Sequence, residues 1–343
     1  MDGINISTFF TGFSTAFFAI FAYLHLSRPS RTRFQTVLGC ILVVWAVFSL
    51  KDIILSFPQF YNDKTLNIIM LIDGWSAITY AVFIFEITQP GWVTWRRFAY
   101  QALLFLPFTV AYLLYPSHNV IYAYAIFLWF YAWTFVIIAF IRFRRYMRYI
   151  RQNYSDIDEI DISWLRPVFG FCIISQLAWL ATSLLRNVYI DTFYYVSVTL
   201  MWVMVLHYTR NFRPVSIQPE PAENNIKDYT FKDSVEKAIQ EDELYLNKSL
   251  TLEEFAAAVG TNRTYMSSYF NNVIGTTFFD YINQLRINRK AIPLMQEHPE
   301  YTLEYIADQS GFNSISTFRR AFHKFVGVSP SNWRSKHLQA TNL

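Results

Sequence analysis

Residues 301–334 read YTLEYIADQSGFNSISTFRRAFHKFVGVSPSNWR, and residues 251–275, TLEEFAAAVGTNRTYMSSYFNNVIG, carry the same pattern earlier in the chain. Equivalent positions are separated by 51 residues before the internal turn and by 52 after it, so the second copy has one extra residue. The equivalent pairs are Leu252 with Leu303, Phe255 with Ile306, Ala256 with Ala307, Gly260 with Gly311, Phe270 with Phe322, and Gly275 with Gly327. Each copy is predicted to form a short helix, a turn at a glycine and a second helix, which is the helix-turn-helix arrangement.

The second helix of each copy has an apolar face and an outward polar face at helical spacing. The positions predicted to be core are Met266, Phe270 and Val273 in the earlier copy, and Phe318, Phe322 and Phe325 in the later copy. The outward positions are Arg263, Thr264, Ser267, Ser268, Ile315, Ser316, Arg319 and Arg320. Arginine can bond guanine, serine and threonine can bond bases or phosphates, and isoleucine can contact a thymine methyl. An ordinary solvated face would explain either helix alone, but the recurrence in both copies favours DNA binding.

Residues 301–334 resemble the signature of AraC/XylS-type transcription regulators in the GF turn, the aromatic helix with arginines, and the G-x-S-P-x-x-[WY]-R ending. Residues 250–275 resemble the upstream unit of that family. The resemblance covers about residues 229–335 and implies two recognition helices held apart by a connecting helix, here residues 277–297. The chain departs from the family at Pro293, which is expected to kink that helix or to shorten its last turn, and at the small residues Ser267 and Ser268.

The N-terminal part of the chain has the composition of a membrane protein. Over the whole chain 53% of residues are hydrophobic, 19% are aromatic and only 16% are charged. A membrane-spanning helix needs about 20 mostly apolar residues. Seven stretches qualify, and they are residues 7–26, 34–57, 65–88, 97–115, 119–141, 165–186 and 191–209.

Arginines are concentrated in every second loop among those that join these stretches. The first, third and fifth loops and the tail after the last stretch carry Arg28, Arg31, Arg33, Arg96, Arg97, Arg142, Arg144, Arg145, Arg148, Arg151, Arg210 and Arg213. The other loops offer only Lys64 and Arg186. Because Lys and Arg accumulate in cytoplasmic loops, we expect a multi-pass protein of the bacterial inner membrane. Its N-terminus is expected outside and its DNA-binding domain in the cytoplasm.

Ionisable side chains within predicted spans cost free energy to place in the hydrocarbon core, so they are candidates for function. Lys51 and Asp73 fall at similar depth in spans two and three, so a Lys51–Asp73 pair is predicted to line an outward-facing ligand pocket. Its candidate walls are Trp75, Trp129, Tyr131 and Trp133. The alternative is an ion pair that only fixes how the two spans pack. Glu86, near the inner end of span three, is expected to reach toward the interface.

The predicted fold class is all-α, a seven-helix transmembrane bundle followed by a cytoplasmic helical domain with two helix-turn-helix units. The predicted parts are a membrane domain, residues 1–213; a flexible linker, 214–228; a DNA-binding domain, 229–335; and a C-terminal tail, 336–343. The fifth loop changes from a basic run to an acidic one at residues 156–161, where a solvated helix start is predicted. Residues 229–343 contain 12 basic and 12 acidic residues, so their net charge gives them a weaker electrostatic attraction for DNA than most nucleic-acid binders have.

The predicted function is a membrane-bound, one-component transcription regulator rather than an enzyme. No catalytic residue, metal ligand or cofactor is predicted, since the sequence has no HExxH or GxSxG motif and Cys40 and Cys172 lack metal-ligand neighbours. Both cysteines are expected to be buried free thiols. Predicted partners are double-stranded promoter DNA, membrane lipid and RNA polymerase, with a small-molecule or lipid ligand and a second copy as further candidates. The alternatives are a transporter or enzyme with an autoregulatory DNA-binding tail, and a membrane domain that only anchors.

Overall fold

A computed structural model describes residues 2–60, 62–185, 188–218 and 229–341. The described residues form sixteen α-helices and no strand, apart from one isolated bridge between Tyr154 and Thr251. The first eight helices are α1 Asp2–Leu26, α2 Arg33–Lys51, α3 Asp63–Gly74, α4 Ala77–Thr88, α5 Trp95–Leu114, α6 His118–Asn153, α7 Leu165–Leu185 and α8 Val188–Thr209. The others are α9 Lys232–Gln240, α10 Leu252–Ala258, α11 Arg263–Tyr269, α12 Phe278–Leu285, α13 Ile292–Glu297, α14 Leu303–Gln309, α15 Ile315–Val326 and α16 Pro330–Thr341.

The chain divides into two compact units. The N-terminal unit comprises residues 1–144 and 162–217, and the C-terminal unit comprises residues 145–161 and 218–343. Residues 145–161, which we call the loop segment, comprise the end of α6 and the turn that follows it, and they belong to the C-terminal unit. The predicted linker lies largely outside the described residues, as do Arg186 and the last two residues of the predicted tail.

The N-terminal unit is built from long apolar helices that coincide with the predicted spans. Among the residues that the structure describes, five helical stretches are long and apolar enough to cross a membrane, and they are 6–26, 33–55, 63–88, 95–114 and 118–153. Residues 165–181 form a shorter apolar helix at the sixth predicted span, and α8 lies at the seventh. The all-helical fold class is confirmed, with several long apolar helices followed by a helical C-terminal domain.

The third predicted span is broken between α3 and α4, which the sequence did not predict. The hydroxyl of Tyr124 on α6 donates to the carbonyl oxygen of Leu71 at 3.1 Å. The amide of Trp75 bonds instead to Ile72 O at 3.1 Å. A side chain that inserts into the backbone ladder is an ordinary cause of a helix break. Glycine at position 74 leaves room for the Tyr124 hydroxyl, because a Cβ there would lie 2.1 Å from the Tyr124 oxygen.

The C-terminal unit contains two helix pairs, one for each copy of the sequence repeat. The first helix pair is α10 with α11 and the second is α14 with α15. Thr251 caps α10 through a reciprocal capping box with Glu254, and Thr302 caps α14. Two apolar cores lie in this unit. One is centred on Phe255, Met266 and Phe270, and the other is built from the second pair and α16.

A connecting helical stretch joins the two cores. α12 contributes Phe278 and Ile282 to the first core, and residues 287–295 contribute to the second. Between α12 and α13 the helix widens into a π-helical turn over Arg286–Ala291. Pro293 follows at the start of α13. Proline lacks an amide proton and crowds the preceding turn, so the predicted disturbance at Pro293 takes the form of a widened turn.

Candidate nucleic-acid interface and apolar cavity

The outward face of α15 carries three of the predicted DNA-binding residues on its surface. Ser316 is exposed, and the side chains of Arg319 and Arg320 are 56% and 63% exposed. Ile315 is half-buried and packs against the second core. The core face behaves as predicted at Phe318 and Phe322, which are fully buried.

The corresponding face of α11 is less open. Arg263, Thr264, Ser267 and Ser268 are all half-buried. The Ser268 hydroxyl lies 3.0 Å from the hydroxyl of Tyr229. The side chains on this helix therefore already make contacts within the C-terminal unit.

One predicted core position is wrong. Val273 is 49% exposed, whereas Met266 and Phe270 are buried as predicted. Residues 270–274 form a π-helical turn, which is wider than a regular α-helix, changes the angular position of the residues within it and leaves Val273 outside the core. In the later copy α15 stays regular through Val326, and Phe325 remains packed against the second core.

The loop segment contacts the N-terminus of α15. Asp158 accepts hydrogen bonds from the hydroxyls of Ser314 and Thr317. Its Oδ1 also lies 3.0 Å from Arg320 Nη2. Asp156, two residues earlier, accepts a bond from the side-chain amide of Asn313. A turn, rather than the predicted solvated helix start, presents these carboxylates, and α7 begins only at Leu165.

The loop segment also contacts α11. Arg263 Nε donates to Asn153 Oδ1 at 2.7 Å. The same guanidinium lies 5.5 Å from the centre of the Tyr149 ring. Asn153 is the last residue of α6, and both Asn153 and Tyr149 are buried. Each of the two predicted recognition helices is thus bonded to the loop segment through an arginine predicted to bind DNA.

Arg286 anchors the loop segment to the connecting stretch. This side chain is 1% exposed. Its bonds reach Tyr245 O at 2.7 Å, Asn247 O at 2.7 Å, Asn283 Oδ1 at 3.1 Å, Ser155 Oγ at 3.1 Å and Ser155 O at 3.3 Å. Burial lowers the pKa of Arg286 to about 10, while the nearby Asp156 carboxylate acts to raise it. Arg286 therefore remains a cation at neutral pH, and sequence analysis did not single it out.

The N-terminal unit contains a cavity with apolar and aromatic walls. Asp73, Trp129, Tyr131 and Trp133 line it, as the sequence predicts for a pocket. The break between α3 and α4 brings Gly74, Ser76 and Ala77 to its wall, and α7 and α8 add residues that include Cys172, Gln176, Tyr194 and Trp202. Trp75, a predicted wall, instead bonds Thr109 Oγ1 at 3.1 Å.

The predicted pairing of Lys51 with Asp73 is present. Lys51 Nζ lies 2.7 Å from Asp73 Oδ1 and also contacts the Asp52 carboxylate. Asp52 in turn accepts a bond from the hydroxyl of Tyr195 on α8, a partner that lies too far along the chain for local sequence patterns to reveal. These contacts tie α2, α3 and α8 together. Only Asp73 of this group is among the residues that line the cavity.

Glu86 is buried, which corrects the expectation that it reaches toward the interface. Its carboxylate accepts bonds from Arg33 Nε at 2.9 Å and from the amides of Gly91 and Val93, each at 3.0 Å. It therefore fixes the turn between α4 and α5. Cys40 is likewise exposed rather than buried, and Cys172 is half-buried. In the described part of the chain, no group of three or more His, Cys, Asp or Glu side chains is arranged to hold a metal ion.

Comparison with known proteins identifies the C-terminal unit. Residues 255–336, which run from within α10 into α16, match the family model described as a helix-turn-helix domain. An uncharacterized HTH-type transcriptional regulator of Staphylococcus aureus (strain COL) is 29% identical over 102 residues, which cover 30% of this chain and 13% of the relative.

The uncharacterized HTH-type transcriptional regulator YdeC of Bacillus subtilis (strain 168) is 29% identical over 91 residues, covering 26% of this chain and 31% of YdeC. A further Staphylococcus aureus relative of the same description is 30% identical over 105 residues, which cover 13% of its length. The chain thus aligns with an eighth to a third of the length of these relatives. No solved structure matches the chain.

Proposed function

We propose that this chain is a membrane-bound transcription regulator of AraC type that binds promoter DNA sequence-specifically through α11 and α15. The observation that carries the proposal is the repeated helix pair within the helix-turn-helix match, with Ser316, Arg319 and Arg320 exposed opposite the buried face of α15. Arginine and serine at such positions suit base edges and phosphates. The predicted DNA-binding domain of residues 229–335 then acts on DNA without catalysing a reaction.

The N-terminal unit is proposed to lie in the bacterial inner membrane with the chain's N-terminus outside. Support comes from the apolar helices and from the alternation of arginines between loops. This orientation places the C-terminal unit in the cytoplasm, where it can meet DNA and RNA polymerase. Membrane lipid surrounds the apolar helices, and a second copy of the chain is a further proposed partner.

The cavity of the N-terminal unit is proposed to bind the signal. Aromatic and aliphatic walls interrupted by a few polar groups are typical of small-molecule sites. A lipid or another largely apolar molecule fits this chemistry, since Asp73, Gln176 and Tyr194 are among the few polar residues of the cavity wall. A domain that served only as an anchor would need no such cavity.

A selection of bound DNA tests the proposed function. The full chain, reconstituted in lipid nanodiscs, is incubated with a library of random duplexes, and bound sequences are enriched over several rounds. We expect an enriched site with two conserved blocks about 10 base pairs apart, since two recognition helices reach successive turns of the major groove. Enrichment of no sequence, by the parent chain or by the variant described below, would contradict DNA reading.

A further inference from the structure

The loop segment bridges the two helices that are predicted to read DNA. Asn153 bonds Arg263 of α11 at 2.7 Å, and Asp158 bonds Arg320 of α15 at 3.0 Å. These arginines belong to different helix pairs, and the bonds come from residues only five positions apart. The segment therefore occupies one arginine of each predicted DNA-binding face.

The contacts made by Asp158 are those that a DNA phosphate makes with proteins. Its carboxylate accepts bonds from the hydroxyls of Ser314 and Thr317 and from the guanidinium of Arg320. Ser314 is also the N-cap of α15, where free amides and the helix dipole favour an anion. Arginine, serine, threonine and helix N-termini are all among the groups that contact phosphates in DNA complexes. The carboxylate is thus an anion of this chain bound by groups suited to a phosphate.

The segment has a fixed base and a partly exposed acidic turn. Ser155 is fully buried, donates its amide to Leu250 O at 3.0 Å and bonds the buried Arg286. In the turn that follows, the Asp158 side chain is 24% exposed and Glu159 is exposed, whereas Ile157 and Ile160 are buried. Release of Asp158 from α15 therefore requires a local rearrangement of this turn while the base stays attached.

We propose that the tip of the loop segment, residues 156–161, competes with DNA for the N-terminal end of α15, so that the docked state binds DNA weakly and the released state binds it tightly. This inference rests on the proposed function. Competition follows because the hydroxyls of Ser314 and Thr317 have one proton each and cannot donate to Asp158 and to a phosphate at the same time. A negative charge at that site also repels an approaching phosphate.

Affinity measurements on the full chain test the competition. Asp158→Ala removes the contacts to Ser314, Thr317 and Arg320, and Asp242→Ala removes the same charge from an exposed turn of the same unit. If the docked state holds about nine-tenths of the molecules, release raises the apparent affinity about tenfold. We expect that gain for Asp158→Ala on the selected duplex in nanodiscs, and an affinity within twofold of the parent for Asp242→Ala.

Equal affinities of the two variants would overturn the competition while leaving DNA binding intact. Failure of the parent and both variants to bind any duplex would instead overturn the proposed function, so the two failures are distinguishable. Hydrogen–deuterium exchange of the unmodified chain gives a second reading. Adding the duplex should raise exchange in residues 156–161, and unchanged protection of that peptide in the bound complex would overturn the proposal.

Discussion

Gly260 and Gly311 occupy equivalent positions of the repeat but have different surroundings. Both have left-handed backbone, with φ of +77° and +83°. A Cβ at Gly260 would meet no atom within 4 Å, whereas one at Gly311 would lie 2.7 Å from the carbonyl oxygen of Leu246. The need for glycine at both turns is visible in the repeat, but the close approach of Leu246 is not, because it comes from a distant part of the chain.

This difference predicts unequal effects of alanine at the two turns. Gly260→Ala should cost about 1–2 kcal/mol, the penalty of left-handed backbone for an L-residue. Gly311→Ala should lower the free energy of unfolding by more than Gly260→Ala does, because the backbone at Leu246 must also move. Thermal unfolding of both variants of the full chain in detergent checks the order. Equal melting temperatures would contradict the contact at Gly311.

Val273 illustrates where residue-level pattern reading fails. Its spacing from Met266 and Phe270 fits a regular helix, and the π-helical turn at 270–274 exposes it instead. The same periodicity holds in α15, where the helix stays regular. A hydrophobic pattern thus locates the face of a helix, but not a local change in its winding.

At the level of elements, the sequence predicts the apolar helices well because each depends on its own composition. It misses the break between α3 and α4, because the cause is the hydroxyl of Tyr124 on another helix. The ion pair of Lys51 with Asp73 was predicted because both residues are unusual in apolar stretches and lie at similar depth. Asp52 and Tyr195 complete that contact in ways that spacing alone does not reveal.

The pairing of α2 with α3 predicts a charge-swap result. Lys51→Asp or Asp73→Lys alone places like charges next to each other in a mostly buried site. Each single change should lower the free energy of unfolding by on the order of 3 kcal/mol. The double variant restores one cation facing the carboxylates and should melt closer to the parent than either single variant. Melting temperatures of the four proteins in detergent measure this. A double variant destabilised by the sum of the two single effects would show that the residues do not interact.

At the scale of the whole molecule, the main difference from the sequence prediction is the place of residues 145–161. The sequence assigns them to the membrane domain, and the structure groups them with the C-terminal unit. The contacts responsible, such as Ser155 with Arg286, join residues more than 100 positions apart. No local pattern of charge or hydrophobicity could predict them.

The proposed orientation predicts the outcome of reporter fusions. Alkaline phosphatase is active only outside the cytoplasm, so a fusion after residue 60 should be active and a fusion after residue 218 inactive. A fluorescent-protein fusion after residue 218 provides the complementary control. Phosphatase activity at residue 218 would place the C-terminal unit away from DNA.

The most direct test of the central claim measures DNA affinity across a range of salt concentrations for single arginine variants of α15. If Arg319 contacts a base, Arg319→Ala should weaken the free energy of DNA binding by about 1–3 kcal/mol and relax the preference at one base position. If it contacts a phosphate, the slope of log affinity against log salt concentration should become shallower by about one. Arg320→Ala should lose less DNA affinity than Arg319→Ala, because removing Arg320 also weakens the contact that holds Asp158 on α15. Lys237→Ala, which removes an exposed charge on α9, should bind as the parent does. If both arginine variants remain folded by circular dichroism and bind the selected duplex like the parent, α15 is not the DNA-reading helix.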